Sequence, residues 1–252
     1  MTRAAPPLAL LVALALPLAP ARAASCPEAP AQALSLPASR AAVAAGKPLV
    51  ILAFGSSSTE GSGASAPSRT YPARLEARLR AALPGVPLEV VNRGRGGEEV
   101  LDMLRRLEDE VVAARPRLVI WQAGGNGALR RMDPELFRLA MESGLARLRE
   151  TGADVVLMDN QVAPRIQAIP EHSRFGAAMA RLAERLNLSL FSRTALMRRW
   201  QARAEAAQQP EEPMIGPDGL HHTDRGYDCL AEALSRSIVE AVQPPAVMAG
   251  RQ

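Results

Sequence analysis

Short, wholly apolar runs alternate along this chain with longer stretches in which apolar residues recur every three or four positions. The runs at 48–54, 88–91, 118–122, 155–158 and 188–191 are too short for helices, and most are rich in Val, Ile or Leu. They predict buried strands. Between them, 71–83, 98–114, 134–150 and 175–186 carry apolar residues at helical spacing, and 223–242 reads as a closing helix. The punctuation agrees with these limits. Asp133-Pro134 offers the 134–150 segment an N-cap and a first-turn proline, Gly152 lies just beyond its end, and Gly85 follows Pro84 after the first helix. Five strands separated by helices call for right-handed crossovers between parallel neighbours. The expected fold is therefore α/β: a flavodoxin-like three-layer α/β/α sandwich with a mostly parallel five-stranded sheet. In open sheets of this kind ligands gather at the carboxyl ends of the strands, so chemistry is to be sought in the loops that follow the runs.

Before residue 47 the pattern lapses. Arg3 precedes an apolar run at 8–18 and then Ala21-Arg22-Ala23, a small-x-small cleavage site, which together predict a secretory signal peptide over 1–23. The run is about half of the ~20 residues that a membrane span needs. Acylation at Cys26 after cleavage at Ser25 is a weaker alternative. Residues 24–46, rich in Ala, Pro and Ser, predict an extended leader, 47–243 a single folded domain, and 244–252 a flexible tail. The expected product is exported, periplasmic or extracellular. Such a compartment permits disulfides, and with only Cys26 and Cys229 present the expectation is that they pair.

Charge changes the picture little. The formal net charge is +4, and loss of Arg3 and Arg22 would leave 28 basic against 26 acidic residues. Nearly all the positive residues are arginines interspersed with Glu and Asp, Lys47 being the only lysine, and aromatic residues make up just 3%. A nucleic-acid footprint needs a concentrated basic patch with stacking platforms, and neither is present. No later segment is apolar enough to span a membrane.

Four polar or glycine-rich segments fall where the chemistry should lie. Gly55-Ser56-Ser57-Ser58-Thr59-Glu60-Gly61 directly follows the first strand, where a serine can be presented as a nucleophile. It lacks the Gly-Lys-Ser/Thr ending of a phosphate loop, and the loosely dinucleotide-like 61–66 stretch lies beyond the strand and runs into Pro67. Near the other end stands Asp218-Gly219-Leu220-His221. A serine hydroxyl needs an imidazole to take its proton and a carboxylate to fix the imidazole tautomer, and Asp218 and His221 could supply both from one turn. His222 is the alternative base, whereas His172 reads as a surface residue. Asn92-Arg93-Gly94-Arg95-Gly96-Gly97 after the second strand and Gly124-Gly125-Asn126-Gly127 after the third offer neutral donors for an oxyanion. Any one of these segments alone would be an ordinary turn; the four occur in register with the strand ends.

Gly55-Ser56-Ser57-Ser58-Thr59, Asn92-x-Gly94, Gly124-x-Asn126 and Asp218-x-x-His221 resemble, in order, the four sequence blocks of SGNH/GDSL hydrolases, over roughly 49–234. The resemblance implies Ser57 as nucleophile, Asp218 and His221 as the rest of the triad, and the Ser57 N–H, Gly94 and Asn126 as the oxyanion hole. It also implies acyl transfer from an ester with no metal or organic cofactor. Ser56 stands where the first block usually has aspartate, and Gly127 where the third does. The Gly-x-Ser-x-Gly elbow of α/β-hydrolases is absent. An O-acyl carbohydrate is the first expectation for the substrate and a longer acyl ester the second, both by analogy and compartment. Gly127 leaves open a carbohydrate- or envelope-binding protein without turnover. Because a protonated imidazole cannot act as base, activity is expected to fall in acid.

Overall fold

The computed structural model describes residues 25–207 and 212–243, so the expected signal peptide and tail lie outside the described residues. Strands β1 (Leu49–Gly55), β2 (Leu88–Gly94), β3 (Leu118–Gln122), β4 (Asp154–Met158) and β5 (Ser189–Phe191) form one sheet in the order β2-β1-β3-β4-β5. Every pairing is parallel. Helices α1 (Pro37–Ala44), α2 (Ser57–Glu60), α3 (Tyr71–Ala82), α4 (Val100–Leu107), α5 (Gly125–Leu129), α6 (Pro134–Glu150), α7 (Pro164–Gln167), α8 (His172–Leu186), α9 (Arg193–Ala207) and α10 (Asp224–Val242) complete the three layers.

Alternation along the strands sorts the core into two faces. Leu49, Ile51 and Ala53 of β1 pack with Leu75 and Leu79 of α3 and with Leu230, Leu234 and Ile238 of α10. Leu52 and Phe54 point the other way, toward Met103 of α4, Phe137, Met141 and Leu145 of α6, and Met179 of α8. Because the β1-to-β2 crossover uses the first face and the β3-to-β4 crossover the second, the loops leaving β1 and β3 diverge. The crevice between them is the topological switch point, where doubly wound sheets bind ligands.

Three differences from the sequence expectation bear on the site. The 24–46 segment is not an extended leader throughout. Pro37 at the first turn and an Ala-rich run favour a helix, and α1 buries Ser39 and Ala42 while both oxygens of Asp154 accept N–H groups at its start, from Ala38 at 3.1 Å and Ser39 at 2.7 Å. As expected, Cys26 is disulfide-bonded to Cys229, with the Cα atoms 5.3 Å apart, which ties the segment before α1 to α10. Strand β2 continues to Gly94, so that Asn92-Arg93-Gly94 is strand and not loop. The 98–114 segment begins with a capping box between Glu99 and Asp102 and passes from α4 into a π turn at Glu108–Val112.

Candidate active site

β1 ends at Gly55, Ser56 is extended, and α2 begins at Ser57, which places Ser57 in the first turn of a helix at the carboxyl edge of the sheet. The first N–H groups of a helix have no partner within it. What fixes this turn is Gln122, the last residue of β3. Its Oε1 accepts the Ser56 N–H at 2.9 Å, the Ser56 hydroxyl at 3.1 Å and the Thr59 hydroxyl at 3.1 Å. Thr59 Oγ1 also lies 3.2 Å from the Tyr71 hydroxyl, which burial pushes up to about 12.

The turn carrying Asp218 and His221 is brought against Ser57. Asp218 Oδ1 accepts the N–H groups of Leu220 and His221, both at 3.0 Å, and Oδ2 lies 2.5 Å from His221 Nδ1. Partial burial works against the charged carboxylate, but those two N–H groups and the imidazole outweigh it and hold Asp218 below its ordinary value. An ionised carboxylate only accepts, so Nδ1–H is the donor and Nε2 keeps its lone pair. That Nε2 is 2.9 Å from Ser57 Oγ, in line to accept the hydroxyl proton. Backbone pairing steadies the turn: Gly216 N–H donates to the His221 carbonyl at 2.8 Å, and Arg165 N–H to the Gly219 carbonyl at 3.0 Å.

The two other histidines lie elsewhere. His222 is fully buried, its Nδ1 is 3.1 Å from the Met214 carbonyl, and its ring packs on Tyr227 at 5.3 Å between centroids. Burial and the nearby Arg193 charge push it down to about 3, which makes it a neutral core residue. His172 opens α8, with Nδ1 2.7 Å from the Ile169 carbonyl.

On the oxyanion donors the structure corrects one residue and explains another. The Gly94 N–H donates to the Asn92 side chain at 2.8 Å, and the residue pairs with Gly55 behind the nucleophile's helix. A Cβ at Gly94 would lie 1.9 Å from the Glu60 nitrogen, so glycine is required there for close packing rather than for chemistry. The glycine next to Asn126 is instead Gly97. Asn126 Nδ2 donates to the Glu98 carbonyl at 2.7 Å and Arg130 to the Gly97 carbonyl at 2.7 Å, which stitches this segment to α5. Gly97 has φ +77°, a conformation that glycine adopts without strain, and among the described residues nothing accepts its N–H. Gly127 leaves no vacancy for the missing aspartate: a Cβ there would meet the Phe175 ring at 2.9 Å. The Glu98 carbonyl orients Asn126 and leaves its second amide hydrogen for another acceptor.

Comparison with known proteins places this arrangement. A model of the non-GDSL lipase-like family matches residues 23–244. The chain belongs to that family. The resemblance to SGNH/GDSL hydrolases is upheld with it. Esterase TesA of Pseudomonas aeruginosa is 33% identical over 97 residues, covering 38% of this chain and 47% of that protein, so the match spans about half the length of this curated relative. Among solved structures, the lipase/acylhydrolase from Enterococcus faecalis superimposes with a TM-score of 0.65 at 22% identity, over 77% of this chain and 97% of that one. An acetylxylan esterase from Geobacillus stearothermophilus, a catalytic mutant, gives 0.61 at 21% identity, over 75% and 93%. These two likenesses concern the fold.

Several residues of this non-GDSL lipase-like chain that support the site were not legible as such. Arg106 is buried, with its guanidinium 4.4 Å from the Phe54 ring centre. It donates to Glu98 at 2.6 and 2.8 Å, to the Arg93 carbonyl at 3.0 Å and to the Gly55 carbonyl at 3.2 Å, which binds the ends of β1 and β2 to the turn bearing Gly97. Gln161 donates to the Leu220 carbonyl at 3.0 Å and accepts from the buried Arg193 at 2.7 Å, thereby holding the Asp218–His221 turn from below. In the sequence Arg106 stands beside Arg105 and Gln161 follows Asp159-Asn160, so neither is set apart from its polar neighbours and neither names a partner. Among the described residues no group of three or more His, Cys, Asp or Glu side chains could hold a metal, and no helix is long and apolar enough to cross a membrane.

Proposed function

We propose that this protein is an exported serine esterase that hydrolyses O-acyl esters of carbohydrates through an acyl-enzyme. The observation that carries the reading is the unbroken chain from Asp218 Oδ2 through His221 to Ser57 Oγ, with links of 2.5 and 2.9 Å. Ser57 Oγ attacks the ester carbonyl while its proton passes to His221 Nε2. Asp218 holds the ring tautomer and stabilises the imidazolium. The oxyanion is met by the N–H groups of Ser57 and Gly97 and by the free amide hydrogen of Asn126, each such donor being worth about 3 kcal/mol of barrier. His221 returns its proton to the departing alkoxide. A water then attacks acyl-Ser57 with His221 again as base, and the carboxylic acid leaves.

The carbohydrate part rests on compartment and on the acetylxylan esterase among the structural neighbours. Export rests on the signal-peptide pattern at 1–23 and is supported by the Cys26–Cys229 disulfide. A binding protein without turnover would draw its support from Gly127, but Phe175 fills that space and the Glu98 carbonyl orients Asn126 in its stead. The test is labelling with a fluorophosphonate followed by peptide mass spectrometry. Attack by Ser57 forms an O–P bond and expels fluoride, so the adduct is expected on the peptide containing Ser57. An unlabelled folded protein, or an adduct elsewhere, would overturn the assignment.

A further inference from the structure

We infer that Glu60 selects the alcohol part of the ester: its carboxylate accepts a hydroxyl of the sugar that carries the acyl group, and the groove that starts at Glu60 holds the rest of the glycan. The inference deepens the esterase reading above and rests on it. Once the oxyanion occupies the cavity of about 10 Å³ that Ser57 and Asn126 line, the alkoxide oxygen must lie within reach of His221 Nε2 to be protonated. The chain on that flank is 61–63: a Cβ on Gly63 would come within 3.0 Å of His221 Cβ. A group borne by the alkoxide therefore emerges beside Glu60, Gly61 and Ser62. These three residues open a cavity of about 860 Å³ that continues between α3 and the β2 edge to Glu76, Arg80 and Val90. The cavities of about 330 and 340 Å³ against α9 have no residue of α2 in their walls.

Glu60 is placed for this task. It stands three positions after Ser57 on α2, so the two side chains share a helix face. Its backbone is fixed: the N–H donates to the Ser56 carbonyl at 2.9 Å, and the carbonyl accepts Asn92 Nδ2 at 3.2 Å. The carboxylate itself is held lightly. Ser62 Oγ donates to Oε2 at 3.4 Å, Oε2 lies 2.8 Å from where a Cβ on Gly96 would be, and among the described residues no cation pairs with it. The carboxylate of Glu76 and the amide of Asn92, which also line the groove, are already engaged. Glu76 accepts from Arg80 and from the Val90 N–H, both at 2.9 Å, and Asn92 Oδ1 accepts the Gly94 N–H at 2.8 Å. A carboxylate only accepts, with about four lone-pair sites on its two oxygens. A sugar hydroxyl is the matching donor, and the small side chains of Ala64, Ala66, Ala73 and Ala77 line the space beyond it.

The test compares kcat/KM for a mono-O-acetylated methyl xylopyranoside with that for cyclohexyl acetate, a ring of similar size without hydroxyls. Wild type, Glu60→Gln and Glu60→Ala are measured, with the Tm of each protein recorded. The readout is the sugar-to-cyclohexyl ratio, because a change in the fold or in the triad moves both substrates together. A hydrogen bond to a charged group is worth about tenfold to a hundredfold, and the lower figure suits an exposed carboxylate. Glu60→Ala is therefore expected to lower the ratio by about tenfold, and Glu60→Gln, which keeps an acceptor oxygen but loses the charge, should lower it by less. A wild type that prefers cyclohexyl acetate, or that cleaves p-nitrophenyl acetate but not the sugar ester, overturns the role of Glu60 and leaves serine esterase chemistry standing. A ratio unchanged in both folded variants does the same. If the folded wild type hydrolyses neither ring ester nor p-nitrophenyl acetate, the esterase reading falls and this inference with it.

Discussion

Gln122→Ala is expected to slow ester hydrolysis sharply while leaving substrate affinity nearly intact. One amide oxygen at the end of β3 receives three donors from the nucleophile turn. Of these, Thr59 keeps a second partner in Tyr71. The Ser56 N–H is buried, and Gln122 is the acceptor it has. Leaving a buried donor unpaired costs about 1–3 kcal/mol, and a small void at this fully enclosed position adds to that, for a total of about 2–4 kcal/mol. In a domain of this size each kcal/mol lowers Tm by about 2–4 °C, so a drop of roughly 4–16 °C is expected. Ser57 adjoins the freed residue, and a displacement near 1 Å at a reacting group costs about a hundredfold in rate. Thermal unfolding and p-nitrophenyl acetate kinetics of the alanine variant, beside Gln122→Glu, separate the two effects. Glutamate restores the acceptor and should recover most of kcat. If Gln122→Ala lowers Tm but keeps the wild-type kcat, the residue merely supports the fold; if both are unchanged, the account of this turn is wrong.

Asn126→Ala should lower kcat by about 10²–10³ with little change in KM, and a loss of less than about threefold in initial-rate kinetics would take Asn126 out of the oxyanion hole. The disulfide closes a sequence separation of 203 residues, for which chain entropy gives up to about 5 kcal/mol; denaturant unfolding with and without reductant should show a loss of several kcal/mol, and coincident curves would refute it. His222 refuses a proton down to a pH of about 3 in the folded state, whereas an unfolded histidine accepts one near 6.5. Its contribution to stability is thus complete above pH 6.5 and is lost as pH falls from there toward 3, at about 1.4 kcal/mol per unit. Between pH 7 and pH 5 the wild type should lose about 2 kcal/mol more than His222→Gln, and equal losses would mean that the ring is not held neutral.

Much of the architecture could be read from sequence because buried parallel strands are continuous apolar runs, and because Asp133-Pro134 and Gly152 bracket α6 so clearly. Ser57, Asp218 and His221 could be singled out because each sits in a short local signature at a strand end or in one turn, and the structure brings the three together. Two-turn α1 escaped notice because its stability comes from burial of Leu36 and Ala42 and from the distant Asp154, none of which has a local period. Gly94 came from the resemblance of Asn92-x-Gly94 to the second sequence block, in a segment that reads as loop. It is strand because Arg106 satisfies the Arg93 carbonyl and β1 pairs alongside. Gln122 and Gln161 act on the nucleophile and triad turns more than fifty residues away, as Arg106 does on Gly55, and nothing in their local sequence says which partner they take.

The most direct test of the central claim is the rate of p-nitrophenyl acetate hydrolysis by the protein beside a folded Ser57→Ala variant of equal Tm. If Ser57 is the nucleophile, the variant should fall by at least about 10³–10⁴, toward the background that binding and the oxyanion hole alone can sustain. A variant that retains the wild-type rate would contradict the account and move the chemistry, if any, away from the Asp218–His221–Ser57 chain.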